Sequence, residues 1–358
     1  MLSLTLLPLL AVAALAALVT AGLLLMLGEG TPQLAAHVAF ALGVMPLILA
    51  AMGYFVPVLT RSAAPGFAAW GPQLLGWGGG AVAVLAFATD FSPLTLGIAA
   101  LTAALGALIL GGWTLNRAKR MFGPRHRGLD WYLAALGFLV LALLAVILMP
   151  WFPAARNGLR LFHLHANLLG FVGLTALGTL QVLLPTCIGK PDPEAALRLR
   201  HDLKWAASGA LLIAVGVSSL LPQFVAAAGL PLALVGAALY GFVIARMLRA
   251  WISRFGGILL QLHGAASSLA AAALGLLVLL ILGAAHGFGW PAARPAVAGF
   301  VIAFLLPLVS GAAAHLLPVW LRPGVQGAWH QSLRAWLCRW SGMRGLVLLL
   351  CGLAIALN

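Results

Sequence analysis

Runs of about twenty apolar residues follow one another from residue 2 to residue 357, separated by short connections rich in Gly, Pro and basic residues. An α-helix needs about that length to cross the hydrocarbon core of a bilayer, where each backbone polar group must be bonded inside its own element. The pattern predicts an all-α polytopic membrane protein with about eleven transmembrane helices, near 2–28, 33–60, 65–89, 92–116, 129–152, 159–186, 203–221, 223–248, 256–284, 293–321 and 342–357. The first run has no basic segment ahead of it and is long for a signal-peptide core, so it reads as a retained helix. The weaker stretch 329–340 reads as an amphipathic helix lying at the interface.

With 63% of residues hydrophobic and 7% charged, spans and short loops use up the chain, which reads as a single integral domain over 1–358. A net charge of +14 suggests nucleic acid in a soluble protein, but here the loops account for it. Of the 20 Lys and Arg, all but Arg156, Arg160 and Arg294 fall on the face shared with the N-terminus. That asymmetry predicts a cytoplasmic N-terminus, with the lipid bilayer and not nucleic acid as the partner. Cys187, Cys338 and Cys351 are scattered without CxxC spacing, so the chain has no disulfide framework, zinc knuckle or CxxCH covalent haem site.

A repeat organises the spans. Pro57, Pro185 and Pro318 recur at intervals of 128 and 133 residues, about four helices each. In that register the second and tenth spans share Pro46 with Pro307, Pro57-Val58 with Pro318-Val319, and Arg61 with Arg322. The chain reads as three pseudo-repeated four-helix units, near 1–120, 121–250 and 251–358, the last one helix short.

The same register picks out histidines. His37 and His165 each lie 20 residues before their proline, and His163 stands two residues from His165. Successive helical residues turn by about 100°, so His163 and His165 point to opposite faces of the sixth span. An imidazole inside a membrane is a candidate functional group, and neutral imidazole is the usual axial ligand of haem iron and a good ligand for copper. His37, His163 and His165 are therefore the candidate cofactor ligands at one depth, and His263 and His315 further metal candidates in the opposite half of the membrane. Hydrogen bonding to neighbouring helices is the alternative use of each ring. His126, His201 and His330 fall in basic loops and read as solvated. No Asp, Glu, Lys or Arg lies deep in a span, which disfavours a proton-coupled carrier.

The run 163–171, HLHANLLGF, followed by LPT at 184–186, resembles the H-x-H-x-x-x-x-G-F signature of the NnrS family. The threefold four-helix arrangement resembles subunit I of the haem-copper oxidases and nitric oxide reductases. The resemblance implies a bacterial inner-membrane protein that binds haem b, with copper as a second candidate metal. It also implies a role in nitric oxide tolerance or in respiratory and denitrification metal homeostasis, with respiratory or denitrification proteins as partners. It places the HxH pair on His163 and His165 and the axial ligand of the second helix on His37. Ala166 stands where the NnrS motif carries Glu, and Ala298 stands at the tenth-helix position matching His37, so the imidazoles of a full oxygen- or nitric-oxide-reducing centre are incomplete. Catalysis is left open. A membrane transporter or assembly factor handling haem, copper or a small neutral molecule is the alternative use of the same histidines.

Overall fold

The computed structural model describes residues 2–63, 66, 70–89, 92–220, 227–290 and 296–357, and the side chains from residue 7 onward. The starts of the expected spans 65–89, 223–248 and 293–321, the last residue of 203–221, and Arg294 lie outside the described residues.

The helices are α1 (Leu2–Leu27), α2 (Pro32–Thr60), α3 (Gly71–Ala88), α4 (Pro93–Arg120), α5 (Gly128–Leu148) and α6 (Pro153–Ile188). They continue as α7 (Ala195–Val217), α8 (Gly229–Leu259), α9 (Ala265–His286), α10 (Ala296–Leu321), α11 (Ala328–Cys338) and α12 (Ser341–Leu357). Among the described residues there is no strand. Ten helical stretches there are long and apolar enough to cross a membrane, α11 and α12 counting as one, so the chain is a multi-pass helical membrane protein. The eleventh expected span is the apolar end of α7, whose first turns carry Arg198, Arg200, Asp202 and Lys204. The expected amphipathic helix is α11.

Charged ends lengthen several helices beyond their apolar runs. The span expected to stop near 248 stays helical through Phe255, with Arg246 and Arg254 in it and ion-paired; Gly256 (φ 2°, ψ −86°) then breaks the helix before a last turn to Leu259. Asp192 holds Arg198 at 2.5 Å and Arg254 at 3.0 Å, and Asp202 pairs with Arg246. Asp130 likewise holds Arg125 at 2.6 Å. Asp130, Asp192 and Asp202 thus tie basic segments together.

The helices carrying the repeat prolines share a local deformation. Each contains a π-helical turn, Val38–Val44 in α2, Ala166–Gly173 in α6 and Phe300–Leu305 in α10. Just after it, Met45 N donates to Phe40 O, Leu174 N to Leu169 O, and Leu306 N to Val301 O, each across five residues. These turns begin 18 or 19 residues before Pro57, Pro185 and Pro318, so the backbone repeats in the register read from the prolines. In α2 and α10 a proline follows at once: Pro46 and Pro307 have no N–H to give the preceding turn, and the wider π-turn accommodates that gap. Pro46 and Pro307 therefore sit at the exit of a π-bulge. α6 makes the same turn without a proline, with Gly170 and Gly173 inside it.

By contact the chain divides into two compact units, Met1–Thr175 with Ala214–Gly229, and Ala176–Ile213 with Leu230–Asn358. In the first unit α3 packs on α4, α4 on α5, the π-turn of α2 on α1 and α3, and the π-turn of α6 on α5. In the second, α9 packs on α10 and α12. Glycines bring neighbours against the π-turns: a Cβ at Gly80 would overlap the Ala41 carbonyl oxygen, and Cβ atoms at Gly275 and Gly352 would overlap the Ala303 backbone from α9 and α12.

Candidate functional site

α2 starts at Thr31, whose Oγ1 accepts from Leu34 N at 3.2 Å, with Pro32 pre-set for the first turn. One further turn brings His37, the last residue before the π-turn. Its Nδ1 lies 2.7 Å from Gln33 O. A carbonyl only accepts, so Nδ1 carries the proton and the neutral ring keeps its lone pair on Nε2. His165, at the matching position of α6, makes the same bond to Leu161 O at 2.9 Å.

His163 is held from outside its helix, donating from Nδ1 to Ala142 O of α5 at 2.9 Å. Its Nε2 is likewise the lone-pair nitrogen. Asn167, one turn on, donates from Nδ2 to His163 O at 3.1 Å, and the same amide stands 3.5 Å from His163 Nε2. All three histidines are half-buried.

His37 and His163 come together. Their ring centroids are 6.5 Å apart and their planes 8° from parallel. Two metal–imidazole bonds of about 2 Å on opposite sides of one ion put ring centres about 6–6.5 Å apart. That spacing is wide enough for one metal ion to lie between the two rings. Phe87 of α3 also packs on the His37 ring, centroids 4.3 Å apart and planes tilted by 35°. His165 has no ring partner among the described residues, so α2 and α6 meet through His163 and not through the repeat-equivalent histidine.

Among the described residues no group of three or more His, Cys, Asp or Glu side chains converges as a metal site. Two imidazoles alone suit a metal that brings its other ligands, and a porphyrin supplies four nitrogens.

The further candidates stand elsewhere. His263, expected early in a span, lies in the turn between α8 and α9, because α8 runs to Leu259 and α9 begins at Ala265. Its Nδ1 accepts from Trp340 N at 3.0 Å and its ring packs against the Trp340 indole, centroids 4.6 Å apart. The lone pair is committed to the backbone, so the ring braces a turn instead of presenting a ligand nitrogen. His315 is half-buried in α10 and belongs to no group of three or more His, Cys, Asp or Glu side chains among the described residues. His330, expected to be solvated, is 6% exposed: Nδ1 accepts from Gly327 N at 3.1 Å and Nε2 donates to Arg322 O at 2.7 Å, closing the start of α11. His126 accepts from Gly128 N at 3.1 Å, and burial lowers its pKa below the ordinary imidazole value.

Phe87 and Gln73 carry no sequence motif. Gln73 is 2% exposed in α3, and its Nε2 donates to Leu49 O at 3.2 Å, tying α3 to α2 beyond the π-turn. An amide inside an apolar run is the signal that could have found it.

The fold and the histidine pair define a multi-pass helical membrane protein with a two-imidazole site. Set against known protein families, curated proteins and solved structures, the chain matches none of them.

Proposed function

We propose that the chain is a haem-binding protein of a bacterial inner membrane, N-terminus in the cytoplasm, in which the imidazoles of His37 and His163 would hold a b-type haem. The observation that carries this reading is the His37–His163 pair, 6.5 Å apart with both Nδ1 protons given to carbonyls. Those bonds fix each ring's orientation and tautomer and raise the basicity of Nε2, the outer-shell support that a ligating imidazole needs. Haem, when bound, supplies a redox-active iron. Phe87 against His37 and the Gly170–Phe138 contact of α6 and α5 keep the surroundings apolar.

The role in nitric oxide tolerance or in respiratory and denitrification metal homeostasis rests on the resemblance of 163–171 to the NnrS signature. Copper is the second candidate metal, with His165 its nearest further imidazole in sequence.

The test is the absorption spectrum of full-length protein purified from haem-replete cells. A Soret band is expected, with a pyridine haemochrome of the b type, and it is lost in His37→Ala and in His163→Ala. A colourless preparation that takes up metal reversibly would favour the transporter or assembly-factor reading instead.

A further inference from the structure

The second unit contains a cavity of about 440 Å³, well away in sequence from the histidine pair, lined by Ser310 and Ala314 of α10, Trp336 of α11, and Arg339, Trp340 and Arg344 around the α11–α12 turn. Its volume falls in the range of about 300–1,000 Å³ typical of ligand sites.

Three features give this cavity a chemical preference. First, it holds two guanidinium groups without a carboxylate. From residue 203 to the C-terminus the sequence has no Asp or Glu, and Arg339 makes no side-chain hydrogen bond or ion pair among the described residues. Second, Arg344 is aimed by its surroundings: Nη1 donates to Arg339 O at 3.2 Å and Nη2 to Leu337 O at 3.1 Å. Third, Trp336 and Trp340 are 69% and 45% exposed, on an amphipathic helix and the turn that ends it, where indoles mark the headgroup level of a bilayer.

The turn itself is built with care. Trp340 adopts a left-handed backbone, φ 60°, which a bulky residue rarely takes. It is held there by its N–H bond to His263 Nδ1, while Gly264 N donates to Cys338 O and Gly342 N to Leu262 O, both at 3.0 Å. The segment before α9 thus clamps the segment between α11 and α12, and the clamp sets both Arg339 and Trp340 at the cavity.

We infer that this cavity binds one anionic glycerophospholipid, its phosphate between Arg339 and Arg344 and its glycerol region against Trp336 and Trp340. A planar guanidinium pairs with phosphate oxygens through paired N–H donors, and a basic pocket between helices at the headgroup level is suited to such lipids. A free inorganic anion would use the arginines but gain nothing from the indoles.

The experiment is native mass spectrometry of the full-length protein in detergent, offered phosphatidylglycerol, phosphatidylcholine or inorganic phosphate in separate arms. One phosphatidylglycerol per chain is expected to persist under activation that strips phosphatidylcholine. Arg339→Gln, at a side chain that holds no other residue, lowers retention about fivefold. Trp336→Ala, at an exposed indole, lowers it too and serves should Arg339→Gln melt early. The proposal is overturned if phosphatidylcholine is retained equally, if the Arg339 and Trp336 variants both keep wild-type retention, or if inorganic phosphate binds as well as the lipid.

Discussion

His163 reaches His37 from a ring anchored on a third helix, its Nδ1 on Ala142 O of α5, while His37 is anchored on its own helix through Gln33 O. The two rings are thus positioned independently, and their 6.5 Å spacing does not depend on one holding the other. His165 shares a helix with His163 yet turns away by two residues of helical rotation, about 200°.

That separation makes the two histidines of the HLH run distinguishable. His163→Ala is expected to remove the haem absorbance, whereas His165→Ala keeps the Soret band and most of the haem-to-protein ratio. Asn167→Ala, which deletes a neighbour and not a ligand, should weaken haem retention by no more than the about 10–100-fold typical of outer-shell changes. A His165→Ala protein as colourless as His163→Ala would sink the assignment of the pair.

The spans were legible because hydropathy records them directly, and proline spacing gave the register that the three π-turns share. The intramembrane histidines were legible because a polar side chain stands out in an apolar run. Which of His163 and His165 meets His37 was not. Matching repeat positions gave His37 and His165 matching bonds to the carbonyl four residues back, but equivalence in a repeat does not make two residues face each other. His263 and His330 were misplaced for a related reason. Charged or glycine-ended helices stop where ion pairs and turns decide, and hydropathy does not see either. The π-turns leave no mark beyond Pro46 and Pro307, because the phase shift of about 100° that one extra residue brings is hidden in runs that are apolar on every side.

Those π-turns set the facing of His37. Deleting Phe40 from the Val38–Val44 turn should restore ordinary helix and rotate His37 by about 100° relative to the Pro57 end of α2. Helix content by circular dichroism is expected to stay close to wild type while haem binding is lost. Retained haem binding with full occupancy would mean that the π-turn does not orient the ligand.

Close approach at the same turn gives a stability prediction. Gly80→Ala adds a methyl where the Ala41 carbonyl oxygen already sits, and backbone cannot step aside as a flexible side chain could. The cost is about 1–3 kcal/mol, as for other overpacked sites. Gly78→Ala on the same helix meets nothing within 4 Å and serves as the neutral control. Thermal melting in detergent separates the two, and equal midpoints would refute the contact.

The last prediction concerns the Asp202–Arg246 pair between α7 and α8. Asp202 is fully buried, and only its Oδ1 has a partner, Arg246, whose side chain is 38% exposed. Arg246→Gln leaves that carboxylate buried without its counter-charge. The expected loss is about 2–3 kcal/mol, less than the about 3–5 kcal/mol for a wholly buried pair because Arg246 is partly solvated. Adding Asp202→Asn to the Arg246→Gln protein removes the stranded charge and should recover most of that loss, although it restores no ion pair. If the double variant melts lower than Arg246→Gln alone, the carboxylate stabilises the fold without Arg246, through neighbours such as Arg198, and the stranded-charge account fails.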